Sequence, residues 1–217
     1  MTRKWKSSVG VGPGCEKLMA ATNELPPSVV QTATALMRWL RAARVEGAVI
    51  GGVAVSLLAE PRFTKDVDAV IWLESSQWER FLASGAKQGF VPRYAAPLEF
   101  ARQNRILLLT HQPTTTDVDI SLGGLPFERE AIDRAVSMKL GRATIKLASP
   151  EDLMVMKAVA NRPRDWADVD SLLSAFPNAD LKRVRHWTLE FAAVLEAPEI
   201  SEDLERVLQR WADRAVD

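Results

Sequence analysis

Apolar residues recur along the chain with two spacings, one typical of amphipathic helices and one typical of buried strands. From Pro27 they return every three or four residues, which places them on one face of a helix. Residues 48–50 then form a short apolar run that leads into the glycine pair Gly51-Gly52, and residues 53–58 return to helical spacing. This part of the chain therefore predicts helix, strand, glycine turn and helix, in that order.

The next segment predicts a central sheet. Residues 67–73 are almost continuously apolar, as expected of a strand that is covered on both faces. Ser75 stands at the N-cap position of a predicted helix that runs to Lys87. Two further strands are predicted over 105–110 and 116–122, with a turn rich in proline and threonine between them.

The strand pattern ends near residue 150, and helical spacing replaces it. Four helices are predicted there, over 150–160, 166–176, 181–195 and 201–215. The contrast divides the chain into a loose N-terminal tail over 1–25, an α/β domain over 26–148 and a C-terminal helical domain over 149–217.

Composition and charge narrow the possible functions. Apolar residues make up 47% of the 217 residues, which is enough for a folded core. No apolar run approaches the roughly 20 residues of a membrane helix, and the polar start lacks a signal core, so we expect a cytoplasmic protein with no membrane association. The 28 basic and 28 acidic residues balance, so a polyanionic partner requires a local patch. Residues 162–164 and 182–185 are either such patches or solvated helix ends.

The few cysteines and histidines limit the kinds of metal site. Cys15 is the only cysteine, which excludes an internal disulfide and a thiolate zinc cluster. His111 and His186 are the only histidines. Any metal ion must therefore be held by oxygen ligands.

Two aspartates at the head of a predicted strand provide such ligands. Asp66 and Asp68 are two residues apart, so their carboxylates point to the same face of the sheet. Two carboxylates that close repel each other unless a cation lies between them, and Mg²⁺ or Mn²⁺ suits oxygen ligands. The alternative is that the two aspartates lie at a solvent-exposed strand edge and bind no ligand.

Two neighbouring features favour the metal-site interpretation. The glycine pair Gly51-Gly52 at a helix start offers backbone donors to a phosphate. A second acidic strand carries Asp117 and Asp119, again on one face, and a neighbouring strand can thus supply a third carboxylate. Spacing alone leaves either of them as the third ligand.

In combination, these motifs resemble the polymerase-β-like nucleotidyltransferase superfamily. Its signature is a strand, a glycine pair or Gly-Ser, a helix, Asp-x-Asp and a third carboxylate on a later strand. More closely, the chain resembles the AbiEii-type and MenT-type branch, the nucleotidyltransferase toxins of toxin–antitoxin pairs, over about residues 45–175. The motifs that match are Gly51-Gly52-Val53-Ala54, Arg62-x-Thr64-x-Asp66-x-Asp68, Pro150-Glu151-Asp152-Leu153, Lys157 and Arg164-Asp165-x-x-Asp168.

The resemblance implies a mixed α/β fold with flanking helices, followed by a C-terminal helical bundle. It implies a magnesium-dependent transferase that moves a nucleotide from an NTP to tRNA or a protein, with a cognate antitoxin as partner. The implied metal ligands and catalytic residues are Asp66, Asp68 and Asp119, where Asp119 fits the apolar-Asp-apolar pattern better than Asp117. The implied nucleotide-binding residues are Gly51, Gly52, Arg62, Thr64, Lys157 and Asp165. Gly52 departs from the commoner serine, so backbone donors would carry more of the triphosphate binding.

Several roles stay open at this point. Lys157 lies in an apolar helix and either contacts the triphosphate or extends its amine along the surface to solvent. Arg62 either contacts a phosphate or pairs with Asp66. Asp165 and Asp168 either belong to the site or only cap a helix.

Two rival functions remain as well. A small-molecule nucleotidyltransferase for aminoglycoside-like acceptors would share the metal ligands, and an acidic pocket would favour it. A catalytically silent NTP-binding or protein-binding module would keep the fold, and the intact carboxylates argue against it.

Overall fold

A computed structural model of the protein describes residues 25–140 and 143–214. The tail predicted over 1–25 lies outside the described residues except for Leu25, whose side chain is buried. Among the described residues, no helix combines the length and the apolar character needed to cross a membrane.

The described residues form nine α-helices and seven strands. The helices are α1 Pro27–Ala43, α2 Gly51–Leu58, α3 Trp78–Ala86, α4 Pro97–Asn104, α5 Pro126–Asp133, α6 Pro150–Ala160, α7 Pro163–Ala175, α8 Leu181–Val194 and α9 Glu199–Arg214. The strands are β1 Glu46–Ile50, β2 Asp66–Trp72, β3 Phe90–Pro92, β4 Ile106–His111, β5 Thr116–Leu122, β6 Val136–Leu140 and β7 Ala143–Leu147.

The strands form one mixed sheet in the order β3-β4-β5-β2-β1-β7-β6. β2 is antiparallel to β1 and parallel to β5. In the parallel register, Asp66 lies opposite Asp117 and Asp68 lies opposite Asp119. All four acidic side chains therefore share one face of two adjacent strands.

Helices cover the two faces of the sheet differently. α1 lies over the face that carries Ile71, since Leu40 of α1 and Ile71 both approach Gly47. The acidic face is the opposite one, and α5 lies over part of it, with Arg129 against the ring of Trp72. Side chains of α6 and α8 also reach this face. The acidic face is thus covered in part by α5, α6 and α8.

One apolar core joins the sheet to the C-terminal helices. Its buried side chains include Leu36 of α1, Ile71 of β2, Leu153 of α6, Leu172 of α7 and Leu208 of α9. Because these side chains pack in one cluster, α6 and α7 share one apolar core with the sheet.

The predicted helices and strands are present, with ends that shift by up to three residues. α2 begins at Gly51, so the glycine pair forms its first turn. The prediction for Ser75 was wrong: it lies in a short 3₁₀ turn, and its side chain caps neither that turn nor α3.

Five short elements were not predicted, namely β3, α4, α5, β6 and β7. β6 and α4 lie at the surface and bury only Leu140 and Ala101, respectively. An element with one buried side chain leaves almost no apolar period in the sequence, so periodicity does not detect it.

Candidate active site

Three aspartates on the acidic face line a cavity of about 530 Å³. Asp66 is the first residue of β2, Asp68 follows on the same face, and Asp119 lies beside Asp68 on β5. Asp117 shares the face but does not line the cavity. The structure therefore brings together the three carboxylates that the sequence resemblance indicated.

These carboxylates raise one another's proton affinity. Burial raises the pKa of Asp68 to about 6, and the charges of Asp66 and Asp119 add to the rise, against smaller opposing effects of Lys157 and the Gly52 N–H. The pKa of Asp119 is also above its ordinary value, mainly because of burial, although Arg93 opposes the rise. Burial and the neighbouring negative charges thus disfavour ionisation of these carboxylates, a condition that a hard divalent cation relieves.

Arg93 is a residue of this site that the sequence did not reveal. It directly follows β3 and donates hydrogen bonds to Asp117 at 3.1 Å and to Asp119. Its position depends on a strand of three residues that periodicity missed. Within the described parts of the chain, no three acidic or histidine side chains are gathered closely enough, as they stand, to hold one ion. Asp119 is thus paired with Arg93, whereas Asp66 accepts a hydrogen bond from Thr64.

The glycine pair allows side chains of the site to approach the backbone. Gly51 has a φ of +65°, and a Cβ there would lie 2.0 Å from the Asp68 carboxylate. A Cβ on Gly52 would lie 2.8 Å from the hydroxyl of Thr64, which donates to Asp66 at 2.9 Å. The Thr64 hydroxyl thus lies between the backbone of Gly52 and the carboxylate of Asp66.

Lys157 is buried in a network of ion pairs. Its Nζ lies 2.9 Å from Asp165 and 2.8 Å from Asp168, and the residue is only 6% exposed. Extension of Lys157 to solvent, one of its two predicted alternatives, is therefore wrong. Arg162 donates to Asp165, and Arg62 binds Asp168 through two nitrogens at 2.8 and 3.1 Å.

The same network settles what the acids of α7 contact. Asp165 is fully buried, makes no capping hydrogen bond and lies behind Lys157 rather than on the cavity wall. Burial raises the pKa of Asp165, but hydrogen bonds from Arg162 and Lys157 outweigh it and hold that pKa below its ordinary value. Arg62 lines the cavity and pairs with Asp168, so the structure does not show the pairing with Asp66 that was one of its two alternatives.

Asp152 links α6 to α8 through hydrogen bonds. Its side chain is fully buried and accepts a hydrogen bond from Arg183 of α8 at 2.9 Å and one from Ser149 at 2.8 Å. Ser149 in turn caps the first turn of α6. These contacts fix α6, the helix that carries Lys157, against α8.

The cavity wall carries more basic than acidic side chains. Its five basic residues are Arg62, Lys65, Lys157, Arg162 and Arg164, against the three aspartates. Of the two predicted basic patches, residues 162–164 thus border the site. In the second patch, Arg183 pairs with Asp152 and Glu130, and Arg185 pairs with Glu205.

The family model described as "Nucleotidyl transferase AbiEii toxin, Type IV TA system" matches residues 35–216. A comparison with curated protein sequences gave no significant match.

Several solved structures share the fold. An antigenic nucleotidyltransferase-like protein from Paracoccidioides brasiliensis is similar with a TM-score of 0.52 and 18% identity, over 83% of this chain and 94% of that chain. The solution structure of the antibiotic-resistance factor ANT(2'')-Ia gives a TM-score of 0.52 and 14% identity, over 78% and 94% of the two chains. The crystal structure of ANT(2'')-Ia with adenylyl-2''-tobramycin gives 0.50 and 12%, over 76% and 98%. The predicted fold class and the predicted resemblance are thereby confirmed.

Proposed function

The chain belongs to the AbiEii family of nucleotidyl transferase toxins, and from that premise we propose that it transfers a nucleotide from an NTP to an acceptor with Mg²⁺ or Mn²⁺. One observation carries this proposal. A single cavity combines Asp66, Asp68 and Asp119 with the glycine start of α2 and a basic wall. Carboxylates for a divalent ion and donors for a polyphosphate thus lie around one space.

Asp66, Asp68 and Asp119 would hold the divalent ions. All three offer only oxygen donors, and burial, followed by the charges of Asp66 and Asp119, raises the pKa of Asp68 to about 6, so the donor set fits Mg²⁺ or Mn²⁺. Bound ions would neutralise phosphate oxygens and lower the pKa of the acceptor hydroxyl. Asp119 lies on β5, the strand between β2 and β4. It would accept the proton of the acceptor hydroxyl.

The triphosphate would lie against the basic wall and the start of α2. Gly51 and Gly52 leave room for close approach of a phosphate, and the helix start adds partial positive charge. Lys157, Arg62 and Thr64 line the same space. Asp165 and Asp168 would act by holding Lys157 and Arg62 in place.

The basic wall favours an anionic acceptor, such as tRNA or an acidic protein segment. Lys65, Arg162 and Arg164 border the cavity and offer charge-assisted contacts to phosphates or carboxylates. An aminoglycoside is a polycation, which this wall repels, so the small-molecule alternative is disfavoured despite the shared fold. Membership of a type IV toxin–antitoxin family supports a cognate antitoxin as partner.

A labelling experiment tests the proposed function. The protein is incubated with each of four α-labelled NTPs and Mg²⁺, with total cell RNA, cell lysate or an aminoglycoside as acceptor. We expect labelled RNA or protein and an unlabelled aminoglycoside, with no labelling when EDTA is present. The absence of labelling with every NTP and acceptor would favour the catalytically silent alternative.

Asp119→Asn is expected to slow transfer at least about a hundredfold, whereas Asp117→Asn should change it less than about threefold. The two residues lie on the same strand face and both contact Arg93, but only Asp119 lines the cavity. Initial transfer rates at saturating Mg²⁺ provide the comparison. The reverse order of effects would make Asp117 the third ligand.

Binding of Mn²⁺ should weaken at acidic pH. The pKa of Asp68 is about 6 without metal, so below this pH an ion must displace a proton, and its affinity should fall about tenfold per pH unit. Above pH 7 the carboxylate is ionised and the affinity should level off. Mn²⁺ titration followed by electron paramagnetic resonance between pH 5 and 8 measures this. An affinity independent of pH across this range would contradict the assignment of Asp68 as a ligand.

A further inference from the structure

A second, smaller cavity adjoins the candidate active site. It has a volume of about 220 Å³ and shares Ile50 and Met156 with the larger cavity. Phe127 of α5 and Phe191 of α8 form part of its wall. We call this space the apolar recess.

The floor of the apolar recess continues the acidic face of the sheet. Val70 follows Asp68 by two residues on β2, and Ser121 follows Asp119 by two residues on β5. Val70 and Ser121 lie opposite each other in the parallel register and both line the recess. Two strand residues span about 7 Å, so the recess begins roughly one sugar ring away from the carboxylates.

The chemistry of the apolar recess differs from that of the larger cavity. Among the residues that the structure describes, no basic side chain lines it, and Ser121 and Glu128 are its only polar residues. One carboxylate oxygen of Glu128 accepts the backbone N–H groups of Gly124 and Leu125 at 2.8 and 2.9 Å, which holds that side chain in place. Such a lining suits a flat, uncharged ring with a few hydrogen-bonding edges, and it does not suit a phosphate.

We propose that the apolar recess binds the base of the NTP while the triphosphate lies in the larger cavity. The proposal rests on the proposed function and adds the place of the base and the residues that contact it. Phe127, Phe191 and Met156 offer the apolar surface that a heteroaromatic ring needs. Ser121 and the second carboxylate oxygen of Glu128 are the groups that distinguish one base from another.

Filling the recess provides the test. Ser121→Leu adds apolar bulk to the floor, and Ser137→Leu makes the same change on the exposed surface of β6 as a matched control. Calorimetry in the presence of Mg²⁺ measures the binding of ATP, GTP, CTP, UTP and inorganic tripolyphosphate, which has no base. We expect Ser121→Leu to weaken the best-bound NTP at least about tenfold, with tripolyphosphate affinity unchanged. Ser137→Leu should change neither affinity.

The other possible results for Ser121→Leu distinguish the base site from an acceptor site and from a folding defect. Equal NTP affinity of Ser121→Leu and wild type overturns the proposal, and if transfer is then lost, the recess belongs to the acceptor. If Ser121→Leu does not fold, Leu125→Ala at the half-exposed edge of the recess replaces it. That variant should weaken NTP binding about threefold and leave tripolyphosphate binding unchanged, and an unchanged NTP affinity overturns the proposal. Failure of the wild type to bind any NTP would instead contradict the proposed function itself.

Discussion

Replacement of Asp68 by asparagine is expected to reduce nucleotidyl transfer at least about a thousandfold while the protein stays folded. Asparagine keeps the shape of the side chain but removes the charge that would hold a divalent ion between Asp66 and Asp119. A thousandfold loss corresponds to about 4 kcal/mol of transition-state stabilisation. Single-turnover transfer from a labelled NTP to the acceptor measures the loss, and Asp66→Asn should behave in the same way.

The stability of the Asp68→Asn variant provides the control. Because the pKa of Asp68 is raised to about 6, ionisation of this group costs the folded state free energy at neutral pH. The metal-free variant should therefore melt at the same temperature as the wild type or higher at pH 7 to 8. The difference should shrink as the pH falls below 6 and vanish only below about pH 3, where Asp68 is protonated in both the folded and the unfolded chain. Near-normal transfer by the variant would remove Asp68 from the metal site.

Lys157→Ala is expected to cause the largest loss of stability, about 3 to 5 kcal/mol. The amine of Lys157 contacts Asp165 and Asp168, which are 0% and 4% exposed. Its removal therefore leaves two buried carboxylates with less positive charge to stabilise them. If the amine also meets the triphosphate, NTP binding should weaken about ten- to hundredfold. Urea denaturation and calorimetric NTP titration measure the two losses separately.

Charge-matched variants separate these two effects of Lys157. Lys157→Met combined with Asp165→Asn removes one cation together with one of its anions, so it should be more stable than Lys157→Met alone. The NTP affinity of this double variant should be lower than that of Asp165→Asn alone. Lys157→Arg should recover binding only in part, since a planar guanidinium replaces a compact ammonium. Equal NTP affinity of Lys157→Met/Asp165→Asn and Asp165→Asn would show that Lys157 does not contact the nucleotide.

The amino-acid sequence by itself determined the main elements and the acidic pairs. Apolar runs and helical spacing predicted α1, β1, α2, β2, β4, β5 and the four C-terminal helices, because each of them buries several apolar side chains. The Asp-x-Asp spacing also determined that Asp66 and Asp68 share one sheet face, since side chains alternate along a strand. These properties are local, so a linear pattern contains them.

Only the tertiary structure decided which residues meet at the site. Arg62 pairs with Asp168 across 106 residues, and Arg93 reaches Asp119 from a strand with almost no apolar pattern. The parallel register places Asp117 beside Asp66 and Asp119 beside Asp68, and of the two residues on β5 only Asp119 lines the cavity. Such contacts depend on how sheet and helices pack against each other. Pairing over long sequence separations leaves no period in the chain, and for that reason the ion-pair network around Lys157 and the apolar recess became visible only in three dimensions.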